Sequence, residues 1–148
     1  MSGAVSIRTQ VRDAFVSALR TIEDSPTARV PGAELLTHYA TVEEIKKFPA
    51  YCVVVTNEEL SVTSQMCADV SLTVLVVLYV KSENDVRAVL DGAIEDVWEA
   101  LRLGQFLRAA SSQLRLDSIE TDEGTTIVKP FTQAVMRWTC EVRRSVSW

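Results

Sequence analysis

Histidine is nearly absent from this chain: His38 is the only one in 148 residues. A Ser-His or Cys-His nucleophile pair would have to use it. The surrounding Leu35-Leu36-Thr37-His38-Tyr39 contains no nucleophile elbow, so a surface or interface histidine is the plainer reading. One histidine and three dispersed cysteines make no zinc-ligand spacing. The five glycines are isolated, which excludes a glycine-rich phosphate cradle. Cys52, Cys67 and Cys140 lie in apolar strand-like runs without any CxxC pairing. They read as reduced core thiols of a cytosolic protein. No apolar run approaches the ~20 residues that a membrane helix needs. The opening MSGAVSIRTQVRDAF lacks the apolar core and cleavage site of a signal peptide, so a soluble protein made inside a cell is expected. Nothing calls for a cofactor or a metal. Repeats, low-complexity tracts and linkers are also missing, which makes residues 1–148 one domain.

Hydrophobic residues make up 47% of the chain and charged residues 24%, a globular balance. A chain of this length buries roughly 70% of its unfolded surface and needs no staple. The net charge of −5 argues against a general nucleic-acid binder, which shows a basic patch. It is compatible with DNA passing nearby, because like charge keeps DNA from sticking.

The clearest positive signal is Asp69 to Val80. Val70, Leu72, Val74, Val76, Leu78 and Val80 are apolar at every even position, while the odd positions run Asp69, Ser71, Thr73, Leu75, Val77, Tyr79. Side chains alternate faces along a strand. One face is therefore buried throughout and the other only along its second half, as in a central strand covered on both sides at its far end.

Around it the chain alternates elements. Residues 5 to 22 read as an amphipathic helix through Val11, Ala14, Phe15, Ala18, Leu19 and Ile22, ending before Pro26. Val30-Pro31-Gly32 is a turn signal, and Thr41 with Glu44 fits a capping box for a short helix through Lys47. Tyr51 to Val55 is a strand. Asn57-Glu58-Glu59 reads as a polar loop, with continuation of the strand through Leu60 and Val62 as the alternative. Ser82 reads as the N-cap of a second helix, with Asp85 in its first turn. Its apolar stripe is Val86, Val89, Leu90, Ala93, Ile94, Val97, Trp98 and Leu101, and Gly104 suits its end. Residues 105 to 112 suggest another helical turn. Leu114, Leu116 and Ile119 suggest a strand, Thr121 to Gly124 a hairpin turn, and Ala134, Met136, Trp138, Cys140 and Val142 one face of a final strand. Pro130 marks an entry or bulge. The order predicts an α+β fold: a twisted, mostly antiparallel sheet with two main helices packed on one face.

Few residues suggest chemistry. Glu43-Glu44, Glu58-Glu59 and Asp122-Glu123 are acid pairs in or beside loops or on solvated faces. The second helix carries Glu83, Asp91, Glu95, Asp96 and Glu99 opposite its stripe, either as solvent surface or as the wall of a partner site or channel. Trp98 and Trp138 read as core, whereas Trp148 is either an interface anchor or a frayed tail. Arg137, Glu141 and Arg143 share a face of the last strand and suit cross-strand ion pairs or another subunit.

Taken together, the first amphipathic helix (Ile7 to Ile22), Phe48-Pro49-Ala50-Tyr51-Cys52-Val53-Val54-Val55, the long strand ending Val76-Val77-Leu78-Tyr79-Val80, the helix with Val86, Leu90, Ala93, Ile94, Val97 and Leu101, and the closing strand Ala134 to Val142 resemble the tail terminator (minor tail or tail-completion) proteins of long-tailed bacteriophages. The likeness lies in element order and size over nearly the whole chain, with Phe48 to Val55 nearest to a signature. It implies a virion protein at the head-proximal end of the tail, assembled in the host cytoplasm. Such a protein forms a ring, in the family a homohexamer, on the last ring of tail tube protein. It stops tube polymerisation and offers a surface to the head or neck connector. The family's lumen is commonly acidic, so DNA slides through without specific binding, and no catalytic residue or membrane contact is implied. Ring contacts would be head-to-tail. The candidates for subunit or partner contact are Asn57, Glu58, Glu59, Asp122, Glu123 and Trp148. Those for an acidic lumen or solvent face are Asp91, Glu95, Asp96 and Glu99. Alternatives are another neck or tail-completion adaptor, or a small ligand-binding or enzymatic α+β domain using His38 and nearby carboxylates.

Overall fold

The long apolar strand is the centre of the molecule. In the computed structural model the elements follow the order α1 (Ile7–Glu23), β1 (Glu34–Leu35), β2 (Ala50–Val62), β3 (Cys67–Lys81), α2 (Val86–Arg102), β4 (Ser112–Thr121) and β5 (Phe131–Ser145). The structure describes residues 7–23, 28–30, 34–36, 45–62, 67–81, 85–102, 112–121 and 131–145. The five strands lie in the order β1-β2-β3-β5-β4. Only the β1–β2 pair is parallel, so the sheet is mixed and mostly antiparallel. This is the single α+β domain that the element order predicts.

Both helices cover one face, with α1 over β1 and β2, α2 over β3 and β5, and the two helices touching each other. The even residues of β3, from Val70 to Val80, are all buried on that face. Their β5 neighbours continue the layer: Leu72 stands opposite Cys140, Val74 opposite Trp138, Val76 opposite Met136 and Leu78 opposite Ala134. From α1, Phe15 meets Trp138 edge-on, with ring centroids 6.4 Å apart and planes at 73°. Each large apolar side chain so buried contributes about 1.5–3 kcal/mol before entropy is counted.

Among the described residues the second face is covered at one end only. There Val77 and Tyr79 join Ala50, Cys52 and Ile45, with Leu36, Phe48, Val54, Leu75 and Val135 packed around them. The switch from polar to apolar odd positions along β3 is the imprint of this partial cover.

Several local expectations change. At Asn57, Glu58 and Glu59 the alternative holds and the loop does not: β2 runs on to Val62, paired with β3, with a bulge between Val55 and Asn57. Partners on β3 hold these polar residues in a strand although their composition suggests a turn. The short helix through Lys47 is not formed in its described part, residues 45–47, while 41–44 lie outside the described residues. The N-cap of α2 is Asp85, whose Oδ1 accepts from the Ala88 N–H at 3.0 Å and whose carbonyl accepts from the Val89 N–H. The expected cap Ser82, Pro130, residues 105–111 of the helical turn expected at 105–112 and residues 122–124 of the hairpin turn expected at 121–124 lie outside the described residues, while Ser112 and Thr121 are the ends of β4.

Strand β1 left no mark in the periodicity because it is two residues long. It is tied by Glu34 N–H to Pro49 O and Leu36 N–H to Tyr51 O, both 2.8 Å, and by Leu35 N–H to the Glu23 carboxylate at 2.7 Å.

Candidate assembly surface

Of the four acids named for a lumen or solvent face of α2, Asp91 and Glu95 are exposed. Asp96 is not: it is 5% exposed and faces the segment 28–30. Its Oδ1 accepts from Arg29 N–H at 3.0 Å and from Arg29 Nη1 at 3.2 Å, and its Oδ2 accepts from Val30 N–H at 3.0 Å. One buried carboxylate thus satisfies two backbone donors and a guanidinium, the condition under which a charge is tolerated inside. Glu99 sits one turn on and receives Arg29 Nη1 and Nη2 at 3.1 and 2.9 Å. This bond from Arg29 holds the Glu99 carboxyl below the usual range, and the hydrogen bonds to Glu99 and then Asp96 raise Arg29.

Gly92 sits under this segment. A Cβ there would lie 3.1 Å from Val30 Cγ2, tighter than an ordinary contact, so a side chain at this position would push Val30 away by a few tenths of an ångström. Arg29 was not among the residues singled out from sequence. The available signal was a mid-helix glycine followed one turn later by an aspartate at the border of the apolar stripe.

Trp98 also differs from expectation. It is 38% exposed and lies under the Arg102 guanidinium, 5.0 Å from the ring centroid. Leu90, Ala93, Val97 and Leu101 carry the buried line of α2, and Trp98 falls a helical step beyond it, on the side of Asp91 and Glu95. The exposed wall of α2 is therefore mixed: Asp91 and Glu95 stand there with Arg87, Trp98 and Arg102.

Asn57, Glu58 and Glu59 are exposed on β2. As strand neighbours, Glu58 and Glu59 point to opposite faces, so their carboxylates do not converge. Asp122, Glu123, Trp148 and His38 lie outside the described residues.

On the half of the second face that no described residue covers, a polar group forms around a bulge in β4 between Leu116 and Ser118. Asp117 accepts from the Thr139 hydroxyl and from Arg115 Nε, the latter at 2.7 Å. The two bonds, Thr139 first, hold its carboxyl below the usual value. An aspartate within a strand is the sequence trace of such a bulge.

Cys52 and Cys140 are buried and free. Burial raises both thiols, Cys140 to about 11 with help from Glu141. Both therefore stay protonated at neutral pH, opposite to what a reactive thiolate needs. Among the described residues no group of three or more His, Cys, Asp or Glu side chains is placed to hold a metal ion, and no helix is long and apolar enough to cross a membrane.

The fold and these surfaces define an α+β domain with a packed core and a mostly antiparallel sheet. The sequence model of the bacteriophage tail tube terminator proteins matches residues 1–145, and the chain belongs to that family. It is thus a structural component of a phage tail. No curated protein matches the chain.

Proposed function

We propose that this protein closes into a ring on the end of the tail tube, stops tube polymerisation and gives the head or neck connector its docking surface. The observation that carries this reading is the family match over residues 1–145. The ring is a homohexamer that assembles by head-to-tail contacts. Asp91 and Glu95, exposed on α2, are the acids assigned to a lumen wall along which DNA slides, with Arg87 and Arg102 exposed on the same helix. Asp96 is left out of that wall because it is buried against Arg29. Asn57, Glu58 and Glu59 on the outer part of β2 suit contact with a neighbouring subunit.

The test is light scattering on a sizing column with negative-stain microscopy, on the protein alone and with purified tail tubes. A hexamer of 16.4 kDa subunits with a central hole, free or seated at one tube end, is expected. A compact dimer that ignores tube ends contradicts the reading.

A further inference from the structure

Among the described residues the sheet has two open edges. β2 meets β1 only at Ala50 and Tyr51, so its outer side from Val53 to Val62 pairs with no described strand. Arg8 of α1 donates to the Val55 carbonyl, which ties the helix to β2 at the bulge. At the far side of the sheet, β4 pairs with β5 alone. A strand edge presents N–H and C=O groups ready to pair with another chain.

Three features direct these edges to each other. The first is sense. β2 is antiparallel to β3, β3 to β5 and β5 to β4, so β4 runs opposite to β2. A second copy set beside the first in the same orientation brings its β4 antiparallel against β2, the pairing that gives perpendicular hydrogen bonds. The second is length: the open run 53–62 of β2 matches 112–121 of β4. The third is side-chain placement. The exposed large hydrophobics among the described residues are Leu60 at 65%, Ile119 at 41% and Trp98 at 38%, and the first two lie on these edges. Leu60 stands opposite Val70, and Ile119 opposite Met136, both core residues on the helix side. Both exposed side chains therefore lie on the same face of the sheet.

We infer that neighbouring copies of this chain join by antiparallel pairing of β4 of one copy with β2 of the next. The inference rests on the ring reading above and names the contact that builds the ring. The sheet then continues from subunit to subunit, and Leu60 and Ile119 are covered at the seam. Each copy has one edge of each kind, so the contact is heterologous and closes by rotation.

The experiment uses Leu60→Lys and Ile119→Lys, since an edge lysine opposes strand addition. Both sites are exposed, and cooperative thermal unfolding followed by circular dichroism checks that each variant folds. Light scattering is expected to find each folded variant monomeric under conditions where the unaltered protein forms rings. An equimolar mixture is expected to form dimers, because one variant keeps β2 intact and the other keeps β4 intact. Variants that still form rings overturn edge pairing and leave the ring reading standing. A single variant that dimerises by itself, or folded monomers that stay monomeric when mixed, overturns the heterologous β4–β2 contact. An unaltered protein that remains monomeric both free and on tube ends overturns this inference and the ring together.

Discussion

At one end of the sheet Cys52, Val77 and Tyr79 lie between two apolar layers, while at the other Asn57 and Glu59 stand exposed on the same face and Ser71, Thr73 and Thr139 are only partly covered. The same strands run through both ends. What differs is the cover: among the described residues Leu36, Ile45 and Phe48 pack on the first end and none packs on the second. The first end is fixed by burial on both faces. At the second, backbone pairing and the helix-side core hold the strands, and no described residue covers the other face or pairs with the β2 edge. On the proposed ring reading, the first end fixes strand direction and the second offers its edges and polar face to a neighbour.

The largest blow to the fixed side is Phe15→Ala. Phe15 is fully buried against Trp138, and loss of the ring is expected to cost about 3–5 kcal/mol in denaturant unfolding. A cost below about 1 kcal/mol would mean that the helix–sheet layer is not the main source of stability. Asp96→Ala is next. It leaves the Arg29 and Val30 N–H groups without their acceptor, with an expected loss of about 1–3 kcal/mol. Gly92→Ala sharpens the same point. Alanine is ordinarily worth up to about 1 kcal/mol over glycine in a helix interior. Here Val30, held by its own bond to Asp96, stands in the way, so no net gain is expected. Asp85→Ala removes the cap of α2 for about 1 kcal/mol, measured in the same way.

The smallest effects fall on the exposed ion pairs and show in acid. Glu99 is held below its ordinary 4.5 by Arg29, and Asp117 below its ordinary 3.8 by Thr139 and then Arg115. A depressed carboxyl favours the charged form in the folded state. Its contribution is present above the ordinary value and is lost as pH falls through the lower folded value. Stability is therefore expected to decline as pH drops below about 4.5, with a shallower decline in Glu99→Gln and Asp117→Asn. An acid profile identical to that of the unaltered protein would show that these pairs do not bear on folding.

Much of this contrast was legible in the sequence where a period repeats. Val70 to Val80 set the helix-covered face, and the change from Ser71 and Thr73 to Val77 and Tyr79 announced the double cover. Features set by single contacts were not legible. β1 is too short for any period. Asn57 to Glu59 look like a loop because their side chains are polar, yet the ladder to β3 decides their conformation. Asp96 resembles its neighbours on α2, and only the seat of Arg29 and Val30 marks it as interior. Trp98 shows the reverse error: an apolar side chain at the margin of a stripe turns outward and meets Arg102 instead.

The central claim is that this chain caps a growing tail tube, and tube length tests it most directly. Tail tube protein is polymerised with and without the purified protein and the tubes are measured by electron microscopy. The account predicts shorter tubes with a ring-shaped cap at one end and no further growth at capped ends. Tubes of unchanged length, with the protein at neither end, would contradict it.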